Sequence, residues 1–162
     1  MAANISKTQI HFMREAIRLS RQKMLAGQGG PFGAVVVRNG KIVERGWNRV
    51  IAANDPTAHA EIVAIRNACK RLGRFHLEDC ALYTSCEPCP MCLAAVYWAR
   101  IENVFYANTR TDAAAIGFND AMIYRELRLP FPRRGISMKP LLRREALRVF
   151  AEWNQKGDKI LY

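Results

Sequence analysis

Histidine is scarce in this sequence, with three residues, and acid is in deficit: 14 Asp and Glu stand against 25 Lys and Arg, a net charge of +11. No apolar run is long enough to cross a membrane as a helix, so no membrane partner is expected. Residues 1–8 lack the apolar core of a secretory signal, and the expected compartment is the cytoplasm. Low-complexity tracts, internal repeats and linkers are missing too. That excludes a solenoid or a disordered chain and leaves one domain over 1–162. The five cysteines are an odd number, and no second Cys-x-x-Cys lies elsewhere than in the run of Cys86, Cys89 and Cys92. A disulfide framework and a zinc ribbon both need more than this.

The excess of base invites a polyanionic partner. The basic residues are dispersed, however: Arg14, Arg18, Arg21 and Lys23, then Arg66, Lys70, Arg71 and Arg74, then Arg133, Arg134, Arg143, Arg144 and Arg148. Most read as solvated helix faces, so nucleic acid is not the expected partner, although the charge leaves it open.

The chemistry-bearing residues cluster at His59-Ala60-Glu61 and Pro88-Cys89-Pro90-Met91-Cys92. One imidazole and two thiolates suit zinc, which accepts nitrogen and sulfur. Three protein ligands leave a fourth tetrahedral position for water or hydroxide, the mark of a catalytic rather than a structural site. Both motifs fall at expected helix starts, where Cβ vectors tilt toward the N-terminus and anions are favoured. Glu61 then lies beside the metal without binding it, in place to shuttle protons. Cys86 leaves an alternative open: as a fourth ligand it would close the site into a structural Cys3His centre.

Hydrophobic periodicity predicts helices over 8–25, 58–72, 89–99 and 141–155, with an irregular helix over 112–127 interrupted at Gly117. Strands are expected over 32–37, 41–48, 79–84 and 103–107, with an edge strand over 136–139. Asn39-Gly40 is a hairpin turn signal between the first two strands. Strand, helix, strand across 79–107 demands a parallel crossover. The order implies one mixed sheet with helices on both faces, a three-layer α/β/α sandwich.

The two motifs, in this order and with their prolines, resemble the signature of the zinc deaminases, the cytidine deaminase-like superfamily. Gly30-Pro31-Phe32-Gly33-Ala34-Val35, Asn54-Asp55-Pro56-Thr57, Tyr83-Thr84-Ser85-Cys86-Glu87, Tyr97-Trp98-Ala99-Arg100, Thr111-Asp112-Ala113-Ala114 and Gly117-Phe118-Asn119-Asp120 resemble, more narrowly, its bacterial guanine deaminase family. The likeness runs from the first helix to about Glu126 and resumes at Tyr162; residues 130–139 have no counterpart in it. It departs at Asn119, where relatives often carry aspartate. The resemblance implies a cytidine deaminase-like fold and one catalytic Zn2+ per subunit on His59, Cys89 and Cys92, with Glu61 as catalytic acid–base. It implies Phe32 and Trp98 as walls around a flat purine base, Asn48 and Asp120 as its hydrogen-bond partners, and Tyr162 as a lid. The implied reaction is guanine plus water giving xanthine plus ammonia. The implied assembly is a homodimer whose C-terminal segment, about 141–162, crosses to the partner subunit. A tRNA adenosine deaminase shares the zinc motifs and suits the charge; the terminal Tyr162 and the Gly-Phe-Asn-Asp segment count against it. A non-catalytic, zinc-stapled nucleic-acid-binding domain is the third reading.

Overall fold

The computed structural model describes residues 5–161. Its chain forms two compact units, Met1–Asp120 and Ala121–Tyr162.

In the first unit, helix α1 (Lys7–Leu25) starts at a capping box, with the Ser6 hydroxyl accepting from the Gln9 amide and the Gln9 side chain accepting from the Ser6 amide. Strands β1 (Gly33–Arg38) and β2 (Lys41–Trp47) are antiparallel, joined at Asn39 and Gly40, both with positive φ as a tight hairpin turn requires. A short helix, α2 (Val50–Ala53), follows; nothing in the periodicity announces it. Then come α3 (Ala60–Leu72), β3 (Cys80–Cys86), α4 (Pro90–Trp98), β4 (Asn103–Asn108) and α5 (Arg110–Ala115). The sheet order is β2-β1-β3-β4, with β3 and β4 parallel as the crossover demands.

β1 is buried on both faces, which is why it reads as an unbroken apolar run. Val35 and Val37 face Phe12 of α1, together with Tyr83. Ala34 and Val36, with Leu82, face Ala60, Ala64, Ile65 and Ala68 of α3 and Val96 of α4. These two clusters, one on each side of a mixed sheet, make the three-layer α/β/α sandwich. The layers approach closely at two glycines. A Cβ on Gly33 would stand 2.5 Å from the Ala16 carbonyl oxygen, and one on Gly46 2.1 Å from that of Ala60.

The second unit holds α6 (Ala121–Arg128), a 3-10 turn (Phe131–Arg133) and α7 (Arg143–Gln155). None of its described residues is buried; Leu141, Phe150 and Leu161 are 85%, 71% and 74% exposed. The expected edge strand over 136–139 is not formed. A strand needs a neighbour for its ladder, and the described part of this unit contains no other strand. The irregular helix expected over 112–127 is two helices, α5 and α6, separated where Gly117 takes φ +96°. No helix among the described residues is long and apolar enough to cross a membrane.

Candidate active site

His59 and Cys89 are the N-cap residues of α3 and α4, both with extended backbone. The sequence places them inside the first turns. The structure puts each one residue outside, where non-helical φ and ψ turn the side chain across the helix end. Glu61 follows as the second residue of α3, and Cys92 as the third of α4 behind Pro90, which occupies the first position, where a missing N–H costs nothing. The loop before His59 is fixed by Asp55, whose Oδ1 accepts from the Thr57 amide and hydroxyl at 2.8 and 2.7 Å.

His59 Nδ1 lies 3.5 Å from Cys89 Sγ and 3.5 Å from Cys92 Sγ. Among the described residues these three form the one group of ligand atoms fit to share a metal. The spacing matches zinc. An ion about 2.0 Å from nitrogen and about 2.3 Å from sulfur, at a tetrahedral angle, sets nitrogen and sulfur about 3.5 Å apart. Hydrogen bonding with the Cys92 thiol and with His59 holds the Cys89 thiol down to about 4. The Cys92 thiol is pushed up by its bond to Cys89 and by burial, and His59 is raised by its bond to Cys89. The arrangement favours the thiolate form of Cys89, at two helix starts that favour negative charge.

Cys86 is not a fourth member of this set. Its buried thiol donates to the Thr109 carbonyl at 3.6 Å, and burial pushes it up to about 11. The closed Cys3His centre loses its fourth ligand.

Glu61 is buried, 5% exposed, and burial raises its carboxyl above the usual carboxylate range. Its Oε1 accepts from the Thr84 hydroxyl at 3.1 Å and its Oε2 from the Cys92 thiol at 3.4 Å. A carboxyl group with a raised pKa beside a metal-ligand set is suited to take up and release protons.

Asn48 is buried at the end of β2, and its Oδ1 accepts from the amides of Gly30 and Val50, each at 3.4 Å. Two backbone donors on one oxygen fix the amide orientation, so the NH2 group faces away from them as a donor. The Phe32 ring meets Phe118 edge-on, with centroids 4.9 Å apart and planes at 90°. Asp120 closes the first unit; partial burial, then the nearby Cys89 charge, raise its carboxyl. Trp98 stands in the last turn of α4, 67% exposed. Tyr162 lies outside the described residues.

The partners of Thr84, Ser85, Glu87 and Phe118 emerge only in three dimensions. The Ser85 hydroxyl accepts from the Gly33 amide at 3.0 Å, and the Glu87 carboxylate from the Arg110 amide at 3.0 Å. Thr84 and Ser85 stand at the end of β3 and Glu87 just beyond it, leading into the cysteines, while Phe118 follows the turn at Gly117.

Residues 6–108 match the family model described as the cytidine and deoxycytidylate deaminase zinc-binding region. Guanine deaminase of Bacillus subtilis is 51% identical over 93% of this chain and 97% of its own length. A crystal structure of guanine deaminase from Bacillus subtilis superposes with a TM-score of 0.92 at 49% identity, covering 98% of this chain and 99% of that one. The tRNA-specific adenosine deaminase of Aquifex aeolicus is 41% identical, over 60% of this chain and 64% of its own.

Proposed function

Because the chain belongs to the cytidine and deoxycytidylate deaminase zinc-binding family, we propose that it hydrolyses guanine to xanthine and ammonia. The substrate follows from likeness across nearly the whole length to a guanine deaminase, where likeness to tRNA adenosine deaminases stops at about three fifths of the chain. The observation that carries the chemistry is a buried Glu61 carboxyl hydrogen-bonded beside the His59, Cys89 and Cys92 donor set.

Those three residues would hold zinc, which when bound lowers the pKa of water to about 7. Glu61 takes the proton of the attacking water and passes it to the ring nitrogen beside the amino-bearing carbon. It then takes the remaining proton of the oxygen now bonded to that carbon and delivers it to the amine as the C–N bond breaks. Thr84 keeps one oxygen of Glu61 oriented throughout. The Cys92 thiol, once a thiolate ligand, has no proton left to donate, and the second oxygen of Glu61 is released for this work. Asn48 donates its NH2 to an acceptor on the base, and Asp120 accepts from ring N–H groups. Phe32, with Trp98, bounds the flat faces of the base, and Tyr162 closes the pocket.

The working unit is a homodimer in which the C-terminal segment, about 141–162, crosses to the partner subunit. This accounts for a second unit that buries nothing: an α7 with Leu147, Phe150 and Trp153 exposed needs a surface to cover it. The enzyme acts in the cytoplasm. Glu61→Ala, loaded with zinc, is expected to retain one ion per chain and lose at least about a hundredfold in ammonia release from guanine. Turnover at the normal rate would remove Glu61 from the proton path.

A further inference from the structure

Pro88 and Cys89 follow directly on the turn at Cys86 and Glu87, and that turn is tied three times to the start of α5. The Glu87 amide donates to the Asn108 carbonyl at 2.8 Å, and the Cys86 thiol to the Thr109 carbonyl at 3.6 Å. The third tie is the Glu87 carboxylate, whose Oε2 accepts from the Arg110 amide at 3.0 Å. The first two join elements that the β3–β4 ladder already brings together. The third is a side chain acting across 23 residues, on a helix that caps itself through Thr109 and Asp112 and does not need Glu87 to start.

Beyond α5 the chain turns at Gly117 and delivers Phe118 and Asp120. The Phe118 amide donates back to the Ala113 carbonyl at 3.0 Å, so the turn is bonded to α5. We infer that Glu87 is a positioning residue: its carboxylate, anchored on the metal turn, fixes α5 and thereby the placement of Phe118 and Asp120 around the base. The substrate half of this statement rests on the guanine reading; the brace itself does not.

Arg110 allows a clean test. It is the first residue of α5, where proline is well accommodated, and the preceding Thr109 already has the extended backbone that proline requires. Arg110→Pro removes the N–H that Glu87 accepts, while Arg110→Ala keeps it and serves as the reference. With zinc bound, Glu87→Ala is expected to raise KM for guanine about five- to tenfold, the effect of one hydrogen bond lost, with a smaller change in kcat. Arg110→Pro is expected to do the same relative to Arg110→Ala, and Glu87→Gln, which keeps an acceptor, to restore KM. In an Asp120→Ala background the effect of Glu87→Ala is expected to shrink to the part that Phe118 carries. Hydrogen exchange reads the brace without substrate: the amides of Ile116 and Phe118 are expected to exchange faster in Glu87→Ala and Arg110→Pro. Equal KM and equal exchange in Arg110→Pro and Arg110→Ala would overturn the inference. So would a rise in KM from Glu87→Ala that is undiminished in the Asp120→Ala background. A wild-type enzyme inert toward guanine would sink the substrate reading, and the exchange rates would still decide the brace.

Discussion

Thr84 holds Glu61, the proposed acid–base group, rather than the substrate. Its hydroxyl is the neutral donor that keeps Glu61 Oε1 in place, and Thr84 is itself 1% exposed. Thr84→Val preserves the shape and deletes the donor. The expected result is a fall in kcat of about tenfold with zinc content unchanged, checked by steady-state kinetics beside metal analysis. An unaltered kcat would mean that Glu61 needs no orientation. At this scale the sequence was most legible where residue type alone carries chemistry. His59, Glu61, Cys89 and Cys92 were identifiable because metal ligands and a proton carrier have few substitutes. Thr84, Glu87 and Phe118 are ordinary residue types whose partners lie 23, 23 and 86 positions away. Only the register of the sheet, together with the turn at Gly117, brings them to the site.

Among the elements, α1 is tied to the hairpin by charge as well as by packing. Glu15 accepts from Arg18 and from Arg45 of β2, each at 2.8 Å. The bond to Arg18, supported by Arg45, holds the Glu15 carboxyl down to about 2. A folded-state value below the ordinary one, near 4.5, stabilises the fold fully above that pH, and the contribution fades as pH falls through about 2. Glu15→Gln is therefore expected to be less stable than wild type by about 1 kcal/mol at pH 7, solvent screening having reduced the pair, and the difference to close between pH 4.5 and 2. Urea unfolding at both ends of that window measures it; a gap that is constant with pH would assign the loss to packing. Element types were legible from periodicity, because β1 and α3 repeat their apolar residues as buried elements must. The strand expected over 136–139 failed because alternation marks a segment able to pair, whereas a strand exists only where a neighbour completes its hydrogen bonds.

For the whole molecule, the +11 charge left nucleic acid open from composition alone, while the likeness that spans nearly the whole chain is to a guanine deaminase. The proposed dimer is tested at the second unit, where none of the described residues is buried. Phe150, 71% exposed on α7, is expected to be covered by the partner subunit. Phe150→Glu should shift the protein from dimer to monomer in sedimentation and reduce guanine turnover at least about tenfold, since a charge at a buried contact is strongly unfavourable. A dimer of unchanged activity would place the interface elsewhere.

The central claim is the identity of the substrate, and ammonia release tests it directly. Zinc-loaded protein is offered guanine, guanosine, cytosine, adenine and an adenosine-containing tRNA anticodon stem-loop in parallel. The account expects ammonia from guanine, with xanthine appearing in equal amount, and none from guanosine or the RNA. Release from the stem-loop alone would contradict it, and would make the dispersed arginines, rather than Asn48 and Asp120, the residues that choose the substrate.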